Sequence, residues 1–231
     1  MTHLFTKTLL TVSAMSLLAA CSQANVEAAA ESAADKTKNV AAKTTAAVET
    51  ALSPDKMISE IPSGTYKSES GHAYIAFTYS HQGYSNPIVR WGKFDATLML
   101  DNEAPTNSTL SVNIDPKSVD TGVPKFDEHL LSADFFDVAN HPNITFTSTS
   151  LKQMAGDKGT VTGDLMMNGV TKPITLDVTL NKVGKNFRSS VPMFGISATG
   201  ALKRSDWGID KYTPMAEDVK LNIEVEFQLE E

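Results

Sequence analysis

The sequence predicts an all-β fold, an antiparallel up-and-down barrel of about eight strands with one short helical lid. Three observations point there. Beyond Gly64, apolar and polar residues alternate with a period of two in run after run, as strands buried on one face require. The last run is the most regular: Val219, Leu221, Ile223, Val225, Phe227 and Leu229 share one face, and Asp218, Lys220, Asn222, Glu224, Glu226 and Gln228 the other. At about 3.3 Å per residue such a strand is roughly 35 Å long, and a sheet of that length leaves open edges unless it closes on itself. Helical spacing, by contrast, stands out at a single place in the folded part, Phe126, Leu130 and Leu131 after Pro124. The polar outer faces exclude a membrane-spanning barrel, whose outside has to be apolar.

Residues 1–20 read as a signal peptide. Lys7 supplies the positive region, Leu9 to Leu18 the apolar core, and Ala19-Ala20 the small residues before cleavage. The run is too short to span a membrane. Leu18-Ala19-Ala20-Cys21 matches the bacterial lipobox, so the single cysteine of the chain is expected to be acylated and to become the first mature residue. The alternative is an ordinary signal peptide that leaves Cys21 as a free thiol. Ser22, rather than an aspartate, favours the outer membrane. The expected location is therefore the periplasm, tethered to a membrane by Cys21. Residues 21–62 are rich in alanine, threonine, lysine and glutamate, with no aromatic between Phe5 and Tyr66. Such a segment buries too little to offset its ordering entropy and reads as a flexible tether. As coil it would span roughly 35 Å, as helix roughly 60 Å.

Residues 63–231 form the expected barrel domain. Ala73, Ile75, Phe77, Tyr79 and His81 share one face of the first long strand. Phe94, Ala96, Leu98 and Leu100 follow, then Leu110, Val112 and Ile114. Asn86 to Trp91, between them, reads as a connection. After the lid, Ile144 and Phe146 resume the alternation, then Val161, Gly163, Leu165 and Met167. Asn168-Gly169 is a strong hairpin signal. Ile174, Leu176, Val178 and Leu180 return from it, followed by Phe194, Ile196, Ala198, Gly200 and Leu202. In the lid, Asp127 and Glu128 charge the first turn, and the helical reading stops at His141-Pro142.

The stretch DEHLLSADFFDVANHPNITFTSTS, from Asp127 to Ser150, followed by VTGDLMMNGVTKPITLDV, from Val161 to Val178, resembles the YceI-like family. The similarity runs from about Gly64 to the C-terminus. It implies a periplasmic, lipocalin-like barrel enclosing an elongated apolar tunnel for polyisoprenoids. His81-Gln82-Gly83-Tyr84-Ser85, then Gly92-Lys93-Phe94, match one family pattern, with a longer connection between them. Asp127, His129 and Leu130 match another. Phe126 and Leu131 stand where the family often carries arginines, which tilts the ligand towards a neutral or weakly polar one. LKRSDWGI, from Leu202 to Ile209, also matches, leaving Lys203, Arg204 and Asp206 either near a mouth or in a solvated turn with an internal ion pair.

An eight-stranded barrel is either filled by its own side chains or holds one small ligand. Ala73, Ala96, Gly163, Ala198 and Gly200 are small inward residues among large ones, and residues alone leave both readings open. The resemblance favours the tunnel. The ligand-lining residues expected on that basis are Phe77, Tyr79, His81, Phe94, Leu98, Leu130, Phe135, Phe136, Phe146, Met167, Phe194, Ala198 and Trp207. Of the adjacent Phe135 and Phe136, one should pack on the barrel and the other on ligand.

No nucleophile elbow, phosphate loop or His-Glu-x-x-His is present, so no catalytic residue and no cofactor is expected. His72, His81, His129 and His141 match no metal-ligand spacing. With 20 Lys+Arg against 27 Asp+Glu, the net charge of -7 argues against nucleic acid and anionic membrane surfaces as partners. Membrane contact is expected through the anchor only, and homodimerisation is compatible with the sequence. The expected function is to bind, carry or store a long apolar isoprenoid such as a polyprenyl phosphate or quinone. The rival reading is an envelope scaffold with a filled barrel.

Overall fold

The computed structural model describes residues 60–230. The expected signal peptide, Cys21 and the tether as far as residue 59 lie outside the described residues. The elements run β1 (Gly64–Tyr79), β2 (Ile88–Trp91), β3 (Phe94–Leu100), β4 (Thr109–Ile114), β5 (Val119–Asp120), α1 (Pro124–Leu131), β6 (Ile144–Ala155), β7 (Lys158–Met167), β8 (Val170–Lys185), β9 (Pro192–Lys203) and β10 (Asp218–Leu229).

The strands form one antiparallel sheet that β10 closes onto β1, from Tyr66 opposite Leu229 to Tyr79 opposite Val219. Two positions in the ring are broken strands. β2 lies along Ile75–Thr78 of β1 and β3 along Gly64–Lys67, so they share one edge of β1 end to end. The break falls at Gly92, whose N–H donates to the Ser118 carbonyl at 2.9 Å. β4 and β5 are interrupted likewise, by a 3-10 turn at Pro116–Ser118. The ring therefore has eight positions: β1, β2/β3, β4/β5 and β6 to β10. Asn86–Trp91 is accordingly not a plain connection. Its last four residues are a strand that buries Val89 and Trp91, too short for an alternating pattern to stand out.

Asn168 and Gly169 adopt φ of 52° and 75°, the left-handed pair that a two-residue hairpin between β7 and β8 needs. The helix ends at Leu131, well before His141-Pro142. Ser132 stops it by donating from both backbone N–H and Oγ to the His129 carbonyl, at 3.1 and 2.7 Å. Asp127 accepts from Thr121 N–H at 2.8 Å and Thr121 Oγ at 2.6 Å, which ties α1 to the end of β5.

The interior divides into two apolar clusters, one under the lid and one at the opposite end. At the far end, Tyr66 is fully buried, its ring 5.2 Å from Phe194, which stacks on Phe227 at 5.3 Å. Ile61, assigned to the tether on sequence grounds, is buried in this cluster, so the domain's packing begins before Ser63. Gly163 lies under the Phe146 ring, and a Cβ at Gly200 would come within 2.6 Å of Leu176 Cδ2. These two glycines make room for neighbouring side chains rather than for a cavity.

Tyr66 donates from its hydroxyl to the Pro62 carbonyl at 2.8 Å, and burial raises its pKa above the ordinary 10.0. A raised phenol contributes stability that is present below the unfolded value and lost as pH rises through the folded one. Burial also raises Tyr79, with Arg204 opposing. The urea-unfolding free energy should therefore fall above pH 10. Tyr66→Phe should lose about 1 kcal/mol at neutral pH, from the missing hydrogen bond, and show a shallower alkaline decline.

Candidate functional site: an apolar tunnel under a lid

Two chambers that share part of their walls lie along the barrel interior. The inner one has a volume of about 240 Å³, and its wall includes Phe94, Ala96, Leu98, Phe146, Phe194, Ala198 and Val225. The other, of about 590 Å³, lies under the lid and is lined by Phe77, Tyr79, Leu130, Phe135, Phe136 and Ile209, among others. Trp91, Met167, Leu202 and Leu221 line both chambers and mark their junction. The larger volume lies in the range of small-molecule sites.

Twelve of the thirteen expected ligand-lining residues line one chamber or the other. Phe94, Leu98, Phe146, Phe194 and Ala198 line the inner chamber, and Met167 the junction. Phe77, Tyr79, His81, Leu130, Phe135 and Phe136 line the chamber under the lid. Trp207 lines neither chamber. It is 2% exposed, and its Nε1–H donates to the Leu165 carbonyl at 3.0 Å, so it pins the 3-10 turn Arg204–Trp207 to β7. Gly208, at φ 72°, ends that turn.

The mouth lies between α1 with the residues after it and the loop from Ile209 to Ala216. Phe136 is buried against Phe77 and Trp91, with ring centres 6.5 and 5.7 Å away. Phe135 is half-buried and meets the His129 ring at 5.0 Å and Tyr212 at 6.5 Å. Across the gap, Lys211 Nζ pairs with Asp134 Oδ2 at 3.1 Å. Lid and loop are thus joined by one ion pair and a small aromatic cluster.

Arg204 holds the loop from inside. Only 7% exposed, it donates from Nε to Ala216, from Nη1 to Ile209 and from Nη2 to Met215, all backbone carbonyls, at 2.8, 2.8 and 2.9 Å. Burial lowers its pKa, while Glu217, Asp210 and Tyr79 oppose the shift. Lys203 instead pairs with Asp218 at 3.1 Å, and Asp206 with Lys172 at 2.8 Å. The turn therefore has no internal ion pair, because Lys203 and Asp206 reach neighbouring strands and Arg204 the loop that follows.

On the outer surface, Glu69, His72 and Glu226 gather where β1 shifts register against β10. His72 Nδ1 lies 2.6 Å from Glu69 Oε2 and 3.7 Å from Glu226 Oε2, at an exposed position on the surface. Sequence spacing could not bring Glu226 to the pair, since it comes from another strand. Sequence reasoning also missed Trp91 and the carbonyl-binding role of Arg204. A lone tryptophan before a glycine, and an arginine in a turn, carry no periodic signal.

The two lid phenylalanines should differ in what they contribute to stability. Phe136→Ala should cost about 3–5 kcal/mol in thermal unfolding, as a large buried aromatic does. Phe135→Ala should cost clearly less, because its ring is only half-buried against His129 and Tyr212.

Residues 66–228 match the YceI-like domain. The YceI protein of Escherichia coli O157:H7 is 40% identical over 159 residues, covering 68% of this chain and 82% of its own length. A UPF0312 protein of Pectobacterium atrosepticum is 39% identical over 166 residues, covering 70% and 83%. The crystal structure of a Campylobacter jejuni YceI protein aligns at a TM-score of 0.58 and 32% identity, over 64% of this chain and 87% of that one. A polyisoprenoid binding domain from Saccharophagus degradans aligns at a TM-score of 0.54 and 13% identity, over 71% and 98%, a likeness of fold alone. With the family match spanning the closed barrel from β1 to β10, this chain belongs to the YceI-like family.

Proposed function

We propose that this protein binds a long apolar lipid of the isoprenoid type inside its barrel and carries or stores it at the bacterial envelope. The observation that supports this most directly is the pair of mainly apolar chambers that share Trp91, Met167, Leu202 and Leu221 as walls and together line the barrel interior from Phe227 to Phe135. Transferring hydrocarbon from water into such chambers gains about 0.8 kcal/mol per CH₂. Few polar contacts are then needed for useful affinity. The fold likeness to a polyisoprenoid binding domain is consistent with this cargo. Catalysis forms no part of the reading; the chemistry is partition.

Solvent extraction of purified protein followed by mass spectrometry should recover an isoprenoid. Ala198→Leu gives a sharper test, because Ala198 is 3% exposed and lines the inner chamber. A tightly filled interior would lose about 1–3 kcal/mol to the added volume. A lipid tunnel should instead keep the stability of the delipidated protein and lose binding of a fluorescent isoprenoid analogue. Marked destabilisation, with no saturable binding by the parent, would favour the scaffold reading.

The lipobox supports a second part of the proposal, that acylated Cys21 holds the domain to a membrane on the periplasmic side, the outer membrane by virtue of Ser22. Cys21→Ser should move the protein out of membrane fractions without changing its unfolding temperature. Equal sedimentation of both forms with membranes would refute the anchor.

A further inference from the structure

Trp91 carries a hydrogen-bond donor that the fold itself does not use. It ends β2 just before the Gly92 break, and its side chain is only 7% exposed. Its Nε1–H has no hydrogen-bond partner among the described residues. The other indole shows the ordinary arrangement: Trp207, also buried, donates to a backbone carbonyl. Buried polar groups are nearly always paired, and an unmet one loses its hydration with nothing in return. Its ring neighbours, Phe77 at 4.8 Å and Phe136 at 5.7 Å, fix the indole in place but offer no oxygen or nitrogen lone pair.

The position of this donor gives it a use. Trp91 lines both chambers at their junction, where the other shared residues are Met167, Leu202 and Leu221. On the lipid-binding reading, a cargo that reaches from one chamber to the other passes this donor among apolar neighbours, whereas Tyr79, His81 and His129 lie farther out in the chamber under the lid. Charge sets a second condition. The arginine and the lysine that line the chamber under the lid are already engaged, Arg204 by three carbonyls and Lys211 by Asp134. A phosphate brought to the junction would be desolvated without a cation to meet it, which is far more costly than burying a neutral oxygen.

We propose that Trp91 Nε1–H is the point at which the tunnel recognises its cargo, selecting an isoprenoid with an uncharged oxygen acceptor, such as an alcohol or a quinone carbonyl, over bare hydrocarbon or a phosphate ester. The proposal rests on the lipid-binding reading above and narrows it to a chemical class. An indole N–H donates one hydrogen bond, which suits a single acceptor oxygen held at the chamber junction.

The test uses the delipidated full chain and three probes of one type: geranylgeraniol, geranylgeranyl phosphate and squalene, each competing with a fluorescent isoprenoid analogue. The parent should prefer the alcohol to both others. Trp91→Phe keeps the aromatic ring and removes the N–H, and should lower the preference for alcohol over squalene roughly fivefold, the worth of one net hydrogen bond. A merely structural role would weaken both probes alike. The chain holds two tryptophans, so the indole N–H resonances can be followed in the parent even if the variant folds poorly. The Trp91 signal should move downfield with geranylgeraniol and not with squalene, while Trp207 stays. Equal affinities for all three probes, a preference for the phosphate, or an unmoved Trp91 signal would overturn the proposal and leave lipid binding standing. Absence of saturable binding of any probe would instead remove the lipid-binding reading, and the proposal with it.

Discussion

The closure of β10 onto β1 is the constraint from which the remaining features follow. Once the ring is sealed from Tyr66–Leu229 to Tyr79–Val219, every strand has one face that water cannot reach. The inward sets then have to be apolar along their whole length, and the outward sets can stay polar. Closure also removes the open edges that would make strands of twelve to sixteen residues prone to pairing with other chains. Had β10 stopped short of β1, the same alternating strands would form an open sheet with a wet face and no enclosed space. The broken strands serve closure too. Splitting β2 from β3 at Gly92, and β4 from β5 at Pro116, bends two ring positions so that Val89 and Trp91 turn inward under the lid.

The two ends of the barrel are finished differently, and this gives the interior a direction. Tyr66, Phe194, Phe227 and Ile61 fill the far end with side chains of the barrel and its leading residues. The other end is finished by elements that are not strands, α1 and the Ile209–Ala216 loop. Their attachments are few: Asp127 to Thr121, Arg204 to three carbonyls, Lys211 to Asp134. Arg204 anchors its loop from within. The Lys211–Asp134 pair, exposed at the surface, contributes little by itself and weakens with salt. A mouth built this way can open where the pair sits while the arginine keeps the loop attached to the barrel.

The ring was legible in the sequence because its signal is periodic and repeated. Val219 to Leu229 on β10 and Phe94 to Leu100 on β3 alternate without interruption, and residues so placed face inward in the structure. Asn168-Gly169 announced its hairpin through the two left-handed positions it needs. Features without a period were not legible. β2 is four residues long, Trp207 and Arg204 lie in a single turn, and the helix stops at Ser132 through one side-chain bond. The small residues were legible only in part, for a related reason: Ala96 and Ala198 line the inner chamber, whereas Gly163 and Gly200 make room for neighbours. Gly163 gives way to Phe146 from the neighbouring strand, and no pattern along one strand reports what its neighbour will place over it.

The interior has to satisfy two demands that pull apart. A folded core wants close packing, since voids forfeit dispersion contacts, while a tunnel needs space that only cargo completes. Here the demands are divided unequally along the barrel axis: the far-end cluster surrounds the smaller chamber, and the larger chamber sits under the lid. On the proposed reading, cargo contacts side chains such as Ile196, Ile223 and Phe135, which the protein alone buries only in part. A ligand that binds only the folded state stabilises it in proportion to the logarithm of its saturation. Occupancy and stability would therefore rise together, most of all at the lid, where the protein's own contacts are fewest. The unpaired donor of Trp91 sits at the boundary between these two regimes. Deeper in, a buried polar atom would burden a packed core; nearer the mouth, water could reach it and selectivity would be lost.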